Sequence, residues 1–270
     1  MQPATSARAR TATTSTDLTS TTPKEPGPSI LDVLRAGELE PLGWLVGSSN
    51  NAMVVRVTPG DLLAVWKPTA GERPLFDFPL GTLTRREVAA YLVSGALGWG
   101  IVPPTLLRDG PHGEGMLQLW IEIDETADVV DMVNGDDARL RRIAVFDAIV
   151  NNTDRKAGHL LPVPGGHLHA VDHGVTFSIM PKLRTVLWAW EGEAFDEEEL
   201  AGLERVRDAL GPSSTPVAGS AGPGALAVAL AELLFVDEIE ATRARVAELL
   251  TAGVFPSPSP DWPAIPWPPY

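Results

Sequence analysis

The feature that most constrains the fold is a change of period partway along the chain. Up to about residue 123 the apolar pattern is that of strands. NAMVVRVT (51–58) and DLLAVWKP (61–68) read as two strands joined by the turn Pro59-Gly60, and MLQLWIEI (116–123) reads as a third. Two helical stretches interrupt them. One is residues 30–37. The other is TRREVAAYLVSGAL (84–97), where Val88, Tyr91, Leu92 and Leu97 lie near one face and Thr84 is the candidate cap. Beyond residue 123 the period is mostly helical. ARLRRIAVFDAIVNN (138–152), 196–210 and 225–251 read as helices, and HLLPV and HLHAV form a hairpin around Pro164-Gly165-Gly166. Strands first and helices last imply an α+β fold of two lobes, a β-rich one over 29–121 and a helical one over 122–255. A chain of 270 residues is long enough for both.

The flanks differ from this body. Residues 1–28 are rich in Thr, Ser, Ala and Pro and read as disordered; they contain two arginines but no apolar core of a secretory signal. In FPSPSPDWPAIPWPPY (255–270) the prolines forbid helix, while Trp262, Ile265, Trp267 and Tyr270 are too apolar for a free tail. Residues 256–270 are therefore expected to pack back on the body, the alternative being a proline-rich ligand for another domain.

The helix ending in FDAIVNNTDRKAGHLL (146–161) raises the functional question. Within nine residues it sets Asn151, Asn152, Asp154, Arg155, Lys156 and His159 side by side, more charge than a turn needs. Phosphoryl transfer from ATP requires a lysine on the phosphates, a glutamate to orient it, a carboxylate for the acceptor and a carboxylate for Mg²⁺. Candidates occur in that order: Lys67 at a strand end, Glu87 on the next helix, Asp154 after the Asn-rich helix end, and Asp172 after the strand HLHAV. The strand at 116–123, with Gln118 and Trp120, lies between the halves where a hinge would meet adenine.

The runs VWKP, FDAIVNNTDR and AVDHGVTF resemble the catalytic domain of the phosphatidylinositol 3- and 4-kinase superfamily, and most nearly the type II phosphatidylinositol 4-kinases; the whole chain is also similar to an uncharacterised actinobacterial kinase-like family. The resemblance covers roughly residues 40–190 by motif. It implies a protein-kinase-like fold, ATP and Mg²⁺ (or Mn²⁺) as cofactors, Lys67 as the phosphate-holding lysine and Glu87 as its partner, with Glu72 and Glu114 as nearby alternatives. It also implies Asp154 as the catalytic aspartate, Lys156 near the transferred phosphate, and Asp172 as the metal ligand ahead of Gly174. His159 stands where kinases carry a metal-binding Asn. Either it does not bind the metal, or Asn152 replaces it, or the metal differs. The phosphate loop has Gly43 and Gly47 but no Gly-x-Gly-x-x-Gly, leaving Ser48, Ser49, Asn50 and Asn51 to face phosphate.

Each residue has a plainer reading: Lys67 at a surface strand end, Glu87 paired with Arg85 or Arg86, Asp154 and Asp172 in turns. Two rival functions stay open. HLHAVDHG places His167, His169, Asp172 and His173 near a zinc-hydrolase motif, although one extra residue puts Asp172 out of step. A nucleotide-binding pseudokinase is the other, because of His159.

Composition narrows the partners. The net charge of −14 and the lack of a basic patch disfavour nucleic acid and anionic membranes. No apolar run approaches the roughly 18 residues of a membrane span. Without cysteine there is no disulfide, thiolate site or Cys nucleophile, which fits a cytoplasmic location. The expected acceptor is thus a hydroxyl of a soluble small molecule or protein rather than a membrane lipid, and Lys67, Asp154 and Asp172 should share one cleft.

Overall fold

The computed structural model describes residues 28–45, 51–212 and 224–270. The expectation of disorder over 1–28 falls outside these for residues 1–27, as do Ser48 and Ser49 of the expected phosphate loop.

The first lobe is a five-stranded antiparallel sheet in the order β1-β2-β3-β5-β4. Its strands are β1 (Glu38–Trp44), β2 (Met53–Thr58), β3 (Leu62–Pro68), β4 (Thr105–Gly110) and β5 (Gly113–Leu119). The alternation in β2 buries Met53, Val55 and Val57. With Ala64, Trp66, Leu106 and Leu117 they form one apolar face, covered by Leu34 of α1 (Ile30–Ala36). Ser29 and Asp32 start α1 as a reciprocal cap. Lys67 follows Trp66, so the pleat sends it to the opposite face.

Between β3 and β4 runs α2 (Leu83–Leu97), ended by Gly98 at φ +75°. It packs on β4 and β5 on one side and on α5 (Glu197–Leu210) and α6 (Ala225–Leu230) on the other, so it bridges the lobes. Arg86 of α2 is 1% exposed and is pinned to the helical lobe. It donates to Thr176 O at 2.6 Å and pairs with Glu238 of α7 (Val236–Ala252). The helical lobe also holds α3 (Val129–Asn134), α4 (Arg139–Val150) and the hairpin β6 (Leu160–Pro162)–β7 (Leu168–Ala170). Its core includes Phe146, Ile149, Leu203, Val206 and Val246. The whole is a two-lobed, protein-kinase-like α+β fold, with a lysine strand followed by a glutamate helix.

Four local expectations need correction. Thr84 is not the cap of α2 but lies within it; its N–H is taken by the Glu72 carboxylate at 2.8 Å. β5 stops at Leu119; the Trp120 N–H still reaches Leu63 O in register, and beyond it the chain leaves the ladder. The stretch 225–251 is two helices, broken before Phe235, whose N–H is capped by Glu238. β1 and β4 carry weak strand signals and were not expected.

Residues 256–270 return to the helical lobe. The carbonyls of Pro263, Ala264 and Pro269 accept hydrogen bonds from Arg184, Thr185 and Ala157, and Trp262 stacks over the Lys182 ammonium at 4.5 Å.

Gly115 marks the tightest approach in the sheet: a Cβ there would stand 2.5 Å from Lys67 O and 2.7 Å from the Trp66 ring. Gly115→Ala is therefore expected to destabilise the fold by about 1–3 kcal/mol, seen as a lower urea midpoint at unchanged slope.

Candidate functional site

Where the lobes meet, the ends of β3, α4 and β7 converge. Lys67 Nζ lies 2.6 Å from Glu87 Oε1 and 2.8 Å from Asp172 Oδ1. Glu87 is buried, and its other oxygen accepts the His173 N–H at 2.8 Å. The lysine's partner is thus Glu87 and not the two alternatives: Glu72 bonds Thr84, and Glu114 pairs with Arg85 at 3.2 Å.

Two carboxylates on one ammonium leave the cluster with one excess negative charge. Burial opposes the Lys67 charge, but Asp172 and Glu87 outweigh it and raise its pKa above the usual lysine range. Lys67 in turn holds the Asp172 carboxyl well below the usual carboxylate range, while burial pushes Glu87 up. Asp172 keeps 45% of its side chain exposed, open to a further ligand. Its φ of +63° is unusual for a residue with a side chain and is held between β7 and the buried His173.

The facing loop follows α4. Asn151 ends the helix in the left-handed conformation at φ +50° and ties its amide to Ser178 O and Met180 O. Asp154 Oδ2 pairs with Lys156 Nζ at 3.2 Å. Burial raises the Asp154 pKa; Lys156 pulls it back, and nearby Asp172 adds to the rise.

This loop is fixed from beneath by a pair missed in the sequence. Arg155 and Asp147 are both fully buried and joined at 2.9 Å. Arg155 also donates to Val171 O and meets His173 Nε2 at 2.6 Å, so it clamps the loop to the segment carrying Asp172. A single acid inside an apolar stretch of helix, Asp147 between Phe146 and Ala148, eight residues before Arg155, was the available signal.

Three expected site residues are placed otherwise. Asn152 is fully buried; its Oδ1 accepts the Asp154 N–H and its amide donates to Asp147, so it braces the loop and has no surface in the cleft. Gln118 is buried, with its amide on Thr105 Oγ1, and the Trp120 N–H is spent on Leu63 O. His159 does reach the cluster, with Nε2 3.4 Å from Asp172 Oδ2. Its Nδ1 receives the Lys156 N–H at 3.4 Å, which assigns the ring proton to Nε2, facing the carboxylate. Burial pushes its pKa down to about 4, so the ring is neutral near pH 7.

The zinc-hydrolase arrangement is not assembled. His167 and His169 lean edge-on at 4.5 Å with their nitrogens on the carbonyls of Gly100 and Ile101. His173 lies on Arg155, and among the described residues no three His, Asp or Glu side chains are grouped to hold a metal. Among the described residues no helix is long and apolar enough to cross a membrane.

No family model matches the chain. It is 41% identical to protein Rv2133c of Mycobacterium tuberculosis over 273 residues, which covers 87% of this chain and 94% of that protein. Among solved structures it is similar to a Helicobacter pylori proinflammatory kinase, CtkA, at 11% identity and a TM-score of 0.46, over 82% of this chain and 94% of that one.

Proposed function

We propose that this chain, which belongs to the family of protein Rv2133c, is a nucleotide-dependent phosphotransferase. The observation that carries the reading is Lys67 held at once by Glu87 and Asp172, with Asp154 and Lys156 on the facing loop.

The donor set suits ATP with Mg²⁺ or Mn²⁺. An ionised carboxylate with free surface supplies hard oxygen, and the excess negative charge of the cluster favours a cation beside it. Asp172 would hold the metal, and Lys67, oriented by Glu87, would hold the phosphates. The bound nucleotide and metal supply the transferable phosphoryl group and offset its charge. Asp154 orients the acceptor hydroxyl and takes its proton; burial, by raising its pKa, makes it a better base. Lys156 holds Asp154 and presents a cation toward the group in transfer. His159 orients Asp172 through Nε2–H and leaves metal binding to that carboxylate. The acidic surface supports a soluble small molecule or protein hydroxyl as acceptor. The resemblance to phosphatidylinositol kinases bears on the catalytic residues and leaves the acceptor open.

A second reading, a nucleotide-binding regulator without turnover, is favoured by one observation. Asn152 is buried with its Oδ1 on the Asp154 N–H, and the His159 proton faces Asp172, so neither residue expected to complete a second metal site offers a lone pair there.

Both readings require nucleotide binding. With ADP at about 100 times its Kd and excess Mg²⁺, the folded state should gain about 2.7 kcal/mol, seen as a higher melting temperature. Lys67→Met and Asp172→Asn should each abolish that gain. A parent chain indifferent to ATP, ADP and GTP with either metal would overturn the proposal.

A further inference from the structure

The proline-rich segment 256–270 lies against the loop after α4 as a bound peptide would, through its carbonyls. Arg184 Nε donates to Pro263 O at 3.0 Å, and the Thr185 N–H and Trp188 Nε1 both donate to Ala264 O at 3.0 Å. Further along, the Ala157 N–H donates to Pro269 O at 2.9 Å, and a Cβ on Gly158 would stand 4.0 Å from the Tyr270 carbonyl carbon. The segment thus runs from residues 184–188 to the loop that carries Asp154 and Lys156, with Tyr270 at the loop end. Arg184 ties the two together. Its N–H donates to Asn152 O at 2.9 Å and its carbonyl accepts the Arg155 N–H at 3.1 Å. Burial raises the Asp154 carboxyl, Lys156 opposes that, and the Arg184 charge opposes it further, so the anchor of the segment stands near the proposed base.

Anchoring by carbonyls leaves side chains free. From Trp262 to Tyr270 the sole hydroxyl-bearing residue is Tyr270. It is 58% exposed, and its hydroxyl has no hydrogen bond among the described residues. The other tyrosine of the chain, Tyr91, is half-buried in α2 against the helical core. We propose that Tyr270 is a phosphoryl acceptor for this chain's own site, modified within the same molecule. The proposal rests on the phosphotransferase reading and names one protein hydroxyl for it. In the step, Tyr270 Oη attacks the γ-phosphorus of ATP, the bond from that phosphorus to the β–γ bridging oxygen breaks, ADP leaves, and the phenol proton passes to Asp154. An acceptor anchored to this loop needs no encounter, and a short tether keeps it at about millimolar effective concentration.

The test treats the full chain with phosphatase, removes the phosphatase, adds ATP with Mg²⁺ or Mn²⁺, and reads intact mass and phosphopeptides. A single phosphoryl group should appear, on Tyr270, with a rate constant unchanged over about a hundredfold range of protein concentration. Tyr270→Phe should lose the phosphoryl group and keep Mg²⁺–ADP binding, with folding checked by the thermal midpoint. Asp154→Asn should slow the transfer about 10²-fold or more, which separates it from a contaminating kinase. Mg²⁺–ADP binding is measured on the same samples. Binding of ADP with Tyr270 left unmodified by either metal would overturn this proposal alone; no binding would overturn the phosphotransferase reading with it. Modification of Ser257 or Ser259 in place of Tyr270, a rate constant that rises with protein concentration, or an undiminished rate in Asp154→Asn would also overturn it.

Discussion

Asp154→Asn is expected to lower phosphoryl transfer about 10²- to 10⁴-fold and to leave Mg²⁺–nucleotide affinity nearly unchanged. The substitution keeps the size of the side chain and its place beside Lys156, but removes the group that accepts the proton. Nucleotide is held instead through Lys67 and Asp172, which it leaves intact. The measurement pairs ATP turnover, across a panel of hydroxyl acceptors, with a binding isotherm. An active parent whose turnover survived Asp154→Asn would remove the loop after α4 from the chemistry. Metal-dependent binding without turnover in the parent would instead support the regulator.

Arg155→Met should have the largest effect on stability. Both members of the Arg155–Asp147 pair have no exposed side-chain surface, and the variant leaves a buried carboxylate without its cation. Breaking such a pair from one side typically costs about 3–5 kcal/mol. Asn152 and Thr185 still donate to Asp147, but neither carries charge. Equilibrium urea unfolding should report the loss. A change under about 1 kcal/mol would mean that the clamp on the loop is not structural.

The two halves of the site were unequally legible. Lys67 lies at the end of a strand, Asp172 just after one, and Asp154 after a helix ended by Asn151, so local pattern was enough to find them. Glu87 was ambiguous because its identity depends on a contact 20 residues away in sequence, with Lys67. The roles of Glu72, Asn152 and Gln118 were hidden for the same reason: each is set by a partner that the fold supplies. The cap of α2 shows this directly, since the carboxylate on the Thr84 N–H comes from 12 residues upstream. β1 escaped notice because it is an edge strand with Pro41 and Gly43 and a register shift between them, and nearly all of it is exposed. β4 and β5 were blurred because their outer halves are polar, and the alternation that marks β2 is missing there. The break before α7 is made by a Glu238 cap inside a continuous helical pattern, and Glu238 was chosen for Arg86 as much as for helix propensity.

That last contact bears on control. Many switches in this fold class work by swinging the glutamate helix away from its lysine. Here the residue next to Glu87 is tethered in the other lobe, at Glu238 and Thr176 O. An outward swing would strand a buried carboxylate, at a cost of about 3–5 kcal/mol, so the disengaged form would hold well under 1% of the population. If the chain transfers phosphoryl groups, this tether would leave it no disengaged posture to be woken from, and its throughput would follow the supply of nucleotide and acceptor.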